Sequence, residues 1–323
     1  KIALMKTWVI GRGGLLGRSV EQRLASFTEV FVPSQKFDWS DSARVTSQLA
    51  TECQSFFSTV GDDNWTIYWC AGRGTLSSSP DQMHAENEMF KSLLQALESS
   101  LSAAAKQKGT IFFASSAGAV YGGSKNPPFT ELTQPKSLTS YGDAKIYQEE
   151  LLKNFAIKNG VRVLVGRISN VYGARQDLAK NQGLISTICF SVLRRQPLNL
   201  FVPLETSRNY IYVEDAAKCI ITHTQKIATT GTNSSFAVKL VVAQENLTIG
   251  SILNIAKSVL RTRPLVTVST NKHGSSQPQS LVFKSVVDTG LDNKSTTGFS
   301  VGMKKVMTDL QTSFLASGWQ RSN

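Results

Sequence analysis

The sequence has few of the residues from which metal sites and disulfide frameworks are built. Only 4 cysteines and 3 histidines occur among 323 residues, and the cysteines are scattered without metal-ligand spacing. None of the histidines lies in a motif, so neither a metal site nor a Ser/His/Asp hydrolase has the residues that it would need. No apolar run approaches the ~20 residues of a membrane-spanning helix, and no signal-peptide pattern is visible. We therefore expect no metal, no membrane partner, and a reducing, cytoplasmic location.

Acidic residues are also scarce, with 23 Asp and Glu against 35 Lys and Arg, which gives a formal charge of +12. Such a charge can indicate a protein that binds nucleic acid, or it can attract a small polyanionic substrate. The basic residues are spread along the chain without a dense run interleaved with aromatics, so we expect no nucleic-acid partner. A hydrophobic content of 41% is typical of a globular protein with a large core.

A glycine-rich turn follows the first predicted strand. The strand, Thr7–Ile10, leads directly into Gly11-Arg12-Gly13-Gly14-Leu15-Leu16-Gly17, and Leu16, Val20 and Leu24 then repeat at helical spacing. Strand, glycine turn and helix are the context that a dinucleotide fingerprint requires, because the turn brings backbone N–H groups and a helix N-terminus to the pyrophosphate. The predicted cofactor-binding residues here are Gly11, Arg12, Gly14, Leu15, Leu16 and Gly17.

The second predicted strand, Glu29–Val32, bears on which dinucleotide is bound. In an NAD site this strand ends in a carboxylate that binds the ribose 2′-hydroxyl, but Pro33-Ser34-Gln35-Lys36 follows here and the next acid is Asp38. With cations at Arg12 and Lys36, the sequence favours the 2′-phosphate of NADP over NAD. Two alternatives stay open, since Asp38 can bend back to the ribose and Arg12 can pack over the adenine ring.

The rest of the N-terminal half alternates helices with buried strands, which is typical of a doubly wound parallel sheet of the Rossmann type. The strand Thr66–Cys70 ends in Ala71-Gly72, which we expect at the cofactor. The strand Thr110–Ala114 runs into Ser115 and Ser116. Hydroxyls at the carboxyl end of a parallel strand lie where such folds bind ligands.

Tyr141 and Lys145 lie four residues apart in a predicted helix that ends at Asn159-Gly160. Residues at this spacing share one helix face, so the ammonium lies near the phenol. An ammonium there favours the phenolate, which suits a tyrosine that acts as an acid/base catalyst. A Tyr and a Lys at this spacing are common by chance, and the alternative is a pair on the helix surface without a catalytic role.

Five motifs occur in a fixed order along the chain: the glycine turn, Ser115-Ser116 with Val120-Tyr121-Gly122, Tyr141-x-x-x-Lys145, Arg167 to Gly173, and Arg208 to Asp215. In this order they resemble the extended short-chain dehydrogenase/reductases of the sugar-nucleotide epimerase/dehydratase family. We expect a Rossmann domain over 5–169 and a smaller C-terminal α/β substrate lobe over 170–323, with a segment near 209–226 returning to the first domain. A polar stretch over 269–280 is predicted to form a loop near the substrate.

The resemblance implies a catalytic set of Ser116, Tyr141 and Lys145. Tyr141 would be the general acid/base at a sugar carbon, and Lys145 would hold the nicotinamide ribose. Ser116 keeps a spacing to Tyr141 that resembles that of the family's 4-epimerases, and Ser115 is the reserve. For both serines the alternative is a structural role, in which a hydroxyl at the end of the strand caps the local backbone. This alternative is the more serious one for Ser115.

On the substrate side, the resemblance implies that Ser115, Ser116, Asn170 and Arg208 bind the nucleotide sugar. A planar guanidinium grips a pyrophosphate in bidentate fashion, so Arg208 suits that role. Asn170 is about equally well explained as a turn residue. The family's 4,6-dehydratases carry an Asp-Glu pair where this chain has Ala117-Gly118-Ala119, so dehydration is not expected.

We therefore expect an NAD(P)-dependent oxidoreductase or epimerase that acts on a nucleotide-linked sugar by hydride transfer. A 4-epimerase and a keto-sugar-nucleotide reductase that uses NADPH both remain open. A more distant alternative is a non-catalytic dinucleotide-binding regulator, which would have no need of both Tyr141 and Lys145. The expected partner is a nucleotide sugar, with a homodimer as a candidate assembly.

Overall fold

The computed structural model describes residues 5–61, 63–178, 183–229, 235–268, 280–292 and 296–316. The strands in these ranges are β1 (Met5–Ile10), β2 (Glu29–Phe31), β3 (Asn64–Trp69), β4 (Gly109–Ser116), β5 (Arg162–Ile168), β6 (Asn170–Tyr172), β7 (Leu198–Leu200), β8 (Ser207–Tyr212), β9 (Phe236–Val241), β10 (Asn246–Thr248), β11 (Val266–Val268) and β12 (Ser280–Leu281). The helices are α1 (Leu15–Leu24), α2 (Ser42–Val60), α3 (Pro80–Ser100), α4 (Ala103–Lys108), α5 (Ala117–Val120), α6 (Ser140–Asn159), α7 (Leu184–Arg194), α8 (Val213–Thr229), α9 (Ile249–Leu260) and α10 (Phe299–Ala316).

Six parallel strands form the main sheet, in the order β2-β1-β3-β4-β5-β9. Successive side chains of a strand face opposite sides, so a strand that is apolar throughout needs cover on both faces. Trp8 and Ile10 of β1 join the core formed with α2, α3 and α6, whereas Val9 joins the core formed with α1 and α8. The predicted doubly wound parallel sheet is confirmed.

Local chemistry sets where the helices of this domain begin and end. Asp41 accepts a hydrogen bond from the Arg44 amide and starts α2, and Ser79 forms a capping box with Gln82 at the start of α3. Gly160, in the left-handed conformation, ends α6. Within the described ranges, none of the helices is both long enough and apolar enough to cross a bilayer.

A smaller sheet is built around β8 in the C-terminal half. β10 pairs with β8 antiparallel, while β6 and β12 pair with it in parallel. Helices α7, α9 and α10 cover this sheet and share one apolar core with it. Gly302 lets α10 approach β6 closely, because a Cβ there would lie 2.3 Å from the Tyr172 hydroxyl.

Two segments of the C-terminal half join the main sheet. Helix α8 packs on α1 and against β4 and β5, and β9 pairs with β5 as the sixth strand. The sequence analysis predicted a return near 209–226, and the structure has Phe236–Val241 as a further strand of the main sheet. The division at residues 169 and 170 stays a prediction. The loop predicted over 269–280 lies outside the described residues except for Ser280, which starts β12.

Candidate active site

The glycine turn between β1 and α1 has a backbone that larger residues would block. Gly11 has φ +94°, in the left-handed region, and a Cβ there would lie 2.5 Å from the Ala71 backbone nitrogen. A Cβ on Gly17 would lie 2.2 Å from the Gly11 carbonyl oxygen, whereas Gly13 faces open space. The turn is therefore pressed between the end of β3 and the first turns of α1.

The start of α1 offers an anion cradle. Gly14 is the N-cap and provides no side-chain hydrogen bond, so the amides of Leu15 and Leu16 begin the helix without a side-chain cap. A helix N-terminus with uncapped N–H groups and a glycine turn in front of it suits a pyrophosphate. The residues present thus fit a dinucleotide at this edge of the sheet.

Helix α6 presents Tyr141 and Lys145 on one face. The Lys145 Nζ lies 5.7 Å from the centroid of the Tyr141 ring and 5.0 Å from that of Phe113 on β4. Lys145 is 3% exposed, so the two do not form a surface pair. An ammonium held against two aromatic rings and away from water acts on the neighbouring phenol more strongly than it would in solvent.

The first turn of α6 is pressed against α5, the short helix that follows β4. Thr139 caps α6 by accepting from the Gly142 amide at 3.1 Å. A Cβ on Gly142 would lie 2.3 Å from the Ser137 hydroxyl and 2.5 Å from the Ala119 carbonyl oxygen. The absence of a side chain at Gly142 therefore allows the close contact that positions its neighbour Tyr141.

Among the described residues, Lys145 has polar partners on two helices. Its Nζ donates to Gln148 of α6 at 3.0 Å and to Glu86 of α3 at 3.4 Å. Gln148 in turn donates to Asn87 of α3 at 2.8 Å. Glu86 lies outside the motifs found in the sequence and supplies a carboxylate next to the proposed catalytic pair.

Ala71 and Gly72 link the glycine turn to Lys145. Ala71 lies against Gly11, and a Cβ on Gly72 would lie 3.7 Å from the Lys145 Nζ. The structure therefore brings together the predicted cofactor residues of the turn, of the end of β3 and of α6 along one edge of the sheet.

The two serines at the end of β4 have different partners. Ser116 is the N-cap of α5 and accepts from the Ala119 amide at 3.4 Å, so the local capping expected above all for Ser115 occurs at Ser116. A capping hydroxyl uses one lone pair and keeps its own hydrogen for another acceptor. Ser115 is buried and donates to Glu149 at 2.6 Å.

Ser115 belongs to a buried polar network that joins β4, β5 and α6. Arg167 donates to both carboxylate oxygens of Glu149, at 2.7 to 3.2 Å, and to the Tyr121 hydroxyl at 2.5 Å. Burial raises the pKa of Tyr121, and Arg167 partly offsets this. Ser115 and Tyr121 thus have hydrogen-bond partners inside the protein. The network fixes α6 relative to the strands that it crosses.

The two cations expected at the cofactor's adenosine end differ in their surroundings. Arg12 forms an ion pair with Glu21 of α1, with Nη2 2.8 Å from Oε1 and Nε 3.1 Å from Oε2. This pairing neutralises much of the charge that the sequence analysis assigned to a 2′-phosphate. Lys36 lies exposed in the segment after β2.

A carboxylate that the sequence analysis missed lies behind the end of β2. Glu52 of α2 is fully buried, and its Oε1 accepts from both the backbone nitrogen and the hydroxyl of Ser34. Its Oε2 has no hydrogen-bond partner among the described residues. The available signal was that Gln48 and Glu52 lie four apart on the face of α2 that also carries Leu49 and Phe56.

The predicted substrate residues Asn170 and Arg208 lie on neighbouring strands of the smaller sheet. Asn170 begins β6, is exposed, and donates to the Asn209 carbonyl at 2.9 Å. Arg208 is 8% exposed on β8 and donates to the Ser207 carbonyl at 2.9 Å. Burial lowers the pKa of Arg208, with nearby Tyr210 acting in the opposite direction.

One group of three side chains in the described part of the chain has the types and spacing of metal ligands. Cys219 and His223 of α8 and Asp292 place their ligand atoms within 4.8 Å of one another. The Asp292 carboxylate is already bound by His223 at 3.0 Å and by the buried Lys239 ammonium at 2.8 Å. Lys239 thus supplies the positive charge in this cluster, and His223 is buried on its helix rather than at the surface.

The sequence profile of the NAD dependent epimerase/dehydratase family matches residues 8–238. This is more than half of the chain, and it includes the glycine turn, both serines, Tyr141 and Lys145, and Arg208. The chain belongs to this family.

Curated relatives match shorter stretches. A Methanocaldococcus jannaschii protein that carries the provisional name UDP-glucose 4-epimerase is 38% identical over 108 residues, which is 33% of this chain and 35% of that protein. The dTDP-4-dehydro-6-deoxyglucose reductase of Escherichia coli is 33% identical over 111 residues, or 34% of this chain and 35% of that protein. The chain thus aligns with about a third of the length of these relatives.

Solved structures match nearly the whole chain. The UDP-glucose 4-epimerase of Thermus thermophilus, solved as a complex with NAD, superposes with a TM-score of 0.76 over 95% of this chain and 99% of that one. The two sequences are 18% identical, so the likeness shows a shared fold.

Proposed function

We propose that the protein is an NAD(P)-dependent enzyme that acts on a nucleotide-linked sugar by hydride transfer, with Tyr141 as the general acid/base. The observation that supports this most directly is the burial of Lys145 beside Tyr141, on the edge of the sheet where Gly11, Ala71 and Gly72 meet. A bound nicotinamide dinucleotide would supply the hydride acceptor. Membership of an NAD-dependent family supports that cofactor.

In this proposal Tyr141 takes the proton from a sugar hydroxyl as the carbon is oxidised, and returns it when the keto group is reduced. Lys145 holds the nicotinamide ribose and stabilises the phenolate. Ser116 donates its hydroxyl hydrogen to the same sugar oxygen, since its capping bond to Ala119 leaves that hydrogen available. Ser115 is the weaker candidate, because its hydrogen is already donated to Glu149.

Arg208 and Asn170 are the proposed contacts to the nucleotide sugar. The low exposure of Arg208 supports a phosphate-binding role, because a charge-assisted hydrogen bond is stronger where water is excluded. The exposed Asn170 lies one strand away and fixes the backbone of Asn209, the residue after Arg208.

Epimerase and reductase remain the two candidate reactions, and relatives named for each activity match the chain. An epimerase oxidises and then reduces the sugar, so the dinucleotide is not consumed. A reductase consumes one NAD(P)H for each keto sugar. The stoichiometry of cofactor consumption therefore separates the two.

A preference for NADP over NAD stays a prediction. Its support is the exposed Lys36 and the lack of an acid among the residues that follow β2 directly. Two contacts weigh against it, since Arg12 is paired with Glu21 and both the backbone nitrogen and the hydroxyl of Ser34 already donate to Glu52. Titration of NADH and NADPH against the purified protein measures the preference, and tighter NADH binding would overturn it.

The cytoplasmic location and the homodimer also stay predictions. Neither enters the argument for the reaction, which depends on residues of a single chain.

The experiment that tests the proposed function is a conversion assay. The purified protein is loaded with NAD and given UDP-glucose, or loaded with NADPH and given a 4-keto sugar nucleotide, and the sugar is followed by NMR. We expect conversion in one of the two mixtures, and its loss in Tyr141→Phe. Failure of the wild-type protein to convert either compound, together with failure to bind a dinucleotide, would contradict the proposal.

A further inference from the structure

Glu86 lies outside the motifs that the sequence analysis identified, yet its carboxylate has two sets of contacts at the proposed site. Its Oε1 accepts from the Lys145 Nζ at 3.4 Å, and the two side chains are 13% and 4% exposed. Its Oε2 accepts from the backbone nitrogens of Arg73 and Gly74, each at 3.0 Å. One largely buried carboxylate thus joins α6 to the loop that follows β3.

That loop reaches the ring of Tyr141. A Cβ on Gly74 would lie 2.7 Å from the Tyr141 Cδ2, so the loop backbone packs directly on the ring. The same Cβ would lie 2.9 Å from the sulfur of Met83, which precedes Glu86 on α3. By fixing the Gly74 amide, Glu86 fixes the surface against which the Tyr141 ring rests.

We propose that Glu86 is a positioning residue for the Tyr141–Lys145 pair. Its carboxylate sets the place of the Lys145 ammonium directly and supports the Tyr141 ring through Gly74. The inference rests on the proposed function, because it assigns these two residues to the chemistry. Without Glu86, Lys145 keeps its hydrogen bond to Gln148 but loses the carboxylate that balances its charge. A buried charge without its partner is unfavourable, so the ammonium would move.

If Glu86 had a purely structural role, the results of its substitution would differ. A carboxylate that only ties the loop to α3 would affect stability, and its removal would have the same effect whether or not Lys145 is present. A positioning residue acts through Lys145, so its removal has little further effect once Lys145 is replaced. A double-mutant cycle separates the two cases.

The test compares Glu86→Gln with the wild type and repeats the comparison in a Lys145→Met background. An amide at position 86 can still accept from the Arg73 and Gly74 amides but carries no charge. The matched control is Glu88→Gln, two residues along α3, where the exposed carboxylate pairs with Lys91. The measurements are kcat and KM with UDP-glucose, the Kd for NADH from its fluorescence, and the melting temperature.

We expect Glu86→Gln to lower kcat by about 100-fold, with KM for UDP-glucose changed by less than about 3-fold. The Kd for NADH should rise several-fold. In the Lys145→Met background the same substitution should change kcat and this Kd by less than about 2-fold. Glu88→Gln should match the wild type, and Glu86→Asp, which restores the charge, should recover part of the lost rate.

Equal losses from Glu86→Gln in both backgrounds would overturn the inference, as would a variant with wild-type kcat and wild-type Kd for NADH. If UDP-glucose is not turned over, the NADH cycle alone decides the role of Glu86. If the wild-type protein binds no dinucleotide, the proposed function fails and this inference fails with it. If Glu86→Gln does not fold, the comparison is made with Glu86→Asp, whose shorter side chain moves the carboxylate away from Lys145. A loss in kcat and in NADH affinity that disappears in the Lys145→Met background would support the inference, whereas no loss, or a loss that persists without Lys145, would overturn it.

Discussion

The cofactor side and the substrate side of the proposed site are assembled in different ways. On the cofactor side, the glycine turn, Ala71-Gly72 and the Tyr141–Lys145 pair lie at the carboxyl edge of one parallel sheet and contact one another. On the substrate side, Asn170 and Arg208 lie on short strands of a separate sheet whose neighbours come from distant parts of the chain. A local sequence motif can encode the first arrangement, whereas the second depends on long-range packing.

The difference has a consequence for how substitutions act. On the cofactor side, each residue has close contacts that the structure identifies. A single substitution there should therefore have a large effect on turnover, stability or cofactor binding. On the substrate side, Arg208 lies in a separate sheet, so its loss should weaken substrate binding and leave the cofactor side unchanged. The predictions below test this contrast, from the largest expected effect to the smallest.

Replacement of Tyr141 by Phe should have the largest effect on turnover. In the proposed mechanism it removes the proton that Tyr141 exchanges with the sugar and very little packing, so kcat should fall by about 1,000-fold or more while the Kd for NADH changes by less than about 3-fold. Tyr147→Phe is the control, because Tyr147 lies on the same helix but is exposed. Steady-state kinetics and NADH titration measure both, and turnover near the wild-type rate in Tyr141→Phe would remove Tyr141 from the mechanism.

Replacement of Gly17 by Ala should have the largest effect on stability. The new Cβ would lie 2.2 Å from the Gly11 carbonyl oxygen, so the turn or α1 must move, at a cost of about 3 kcal/mol in the free energy of unfolding. Gly13→Ala is the control, since that position faces open space and should cost less than about 0.5 kcal/mol. Urea unfolding of both variants checks this, and equal stabilities would show that the turn is not tightly packed.

Replacement of Lys145 by Met should damage both cofactor binding and rate. The ammonium is proposed to contact the nicotinamide ribose and to stabilise the Tyr141 phenolate, so the Kd for NADH should rise and kcat should fall by about 100-fold. Binding and turnover are measured separately. A fall in rate with unchanged binding would mean that the proposed ribose contact is wrong.

Replacement of Arg208 by Ala should have the smallest of these effects and should be confined to the substrate. Loss of a charge-assisted contact to the pyrophosphate should weaken nucleotide-sugar binding by about 1.5–3 kcal/mol and leave dinucleotide binding nearly unchanged. Calorimetric titration with UDP-glucose and with NADH measures the two affinities. An equal loss for both ligands would indicate a folding defect that spreads from β8.

Sequence periodicity and local motifs predict much of the cofactor side. The strand–turn–helix order around Gly11, the helix that carries Tyr141 and Lys145, and the parallel sheet are all properties of short stretches, and the structure has each of them. The bounds of α6 follow from Thr139 and Gly160, which cap it at its two ends.

What the sequence analysis missed depends on contacts between distant segments. Helical spacing shows that Glu52 and Glu86 lie on particular faces of α2 and α3, but not that those faces meet Ser34 and Lys145. The pairing of Arg12 with Glu21 was missed for a local reason, because the conformation of the glycine turn decides which way Arg12 points.

The two serines show a similar limit on a smaller scale. Adjacent residues of a strand face opposite sides, so Ser115 and Ser116 cannot share a role. Which of them faces the buried Glu149 and which caps α5 depends on how β4 sits against α6, and the sequence of β4 does not contain that information.

The central claim is that Tyr141 and Lys145 support hydride transfer between a nicotinamide dinucleotide and a nucleotide-linked sugar. The most direct test uses UDP-glucose that carries deuterium at the sugar's C4, mixed with the NAD-loaded protein, with the cofactor analysed by mass spectrometry at early times. For an epimerase, the account predicts deuterium on the reduced dinucleotide in the wild-type protein and none in Tyr141→Phe. For a reductase, it predicts that deuterium carried on NADPH appears at C4 of a 4-keto sugar nucleotide in the wild-type protein and not in Tyr141→Phe. Conversion of the sugar without transfer of deuterium between sugar and cofactor, or equal transfer in Tyr141→Phe, would contradict it.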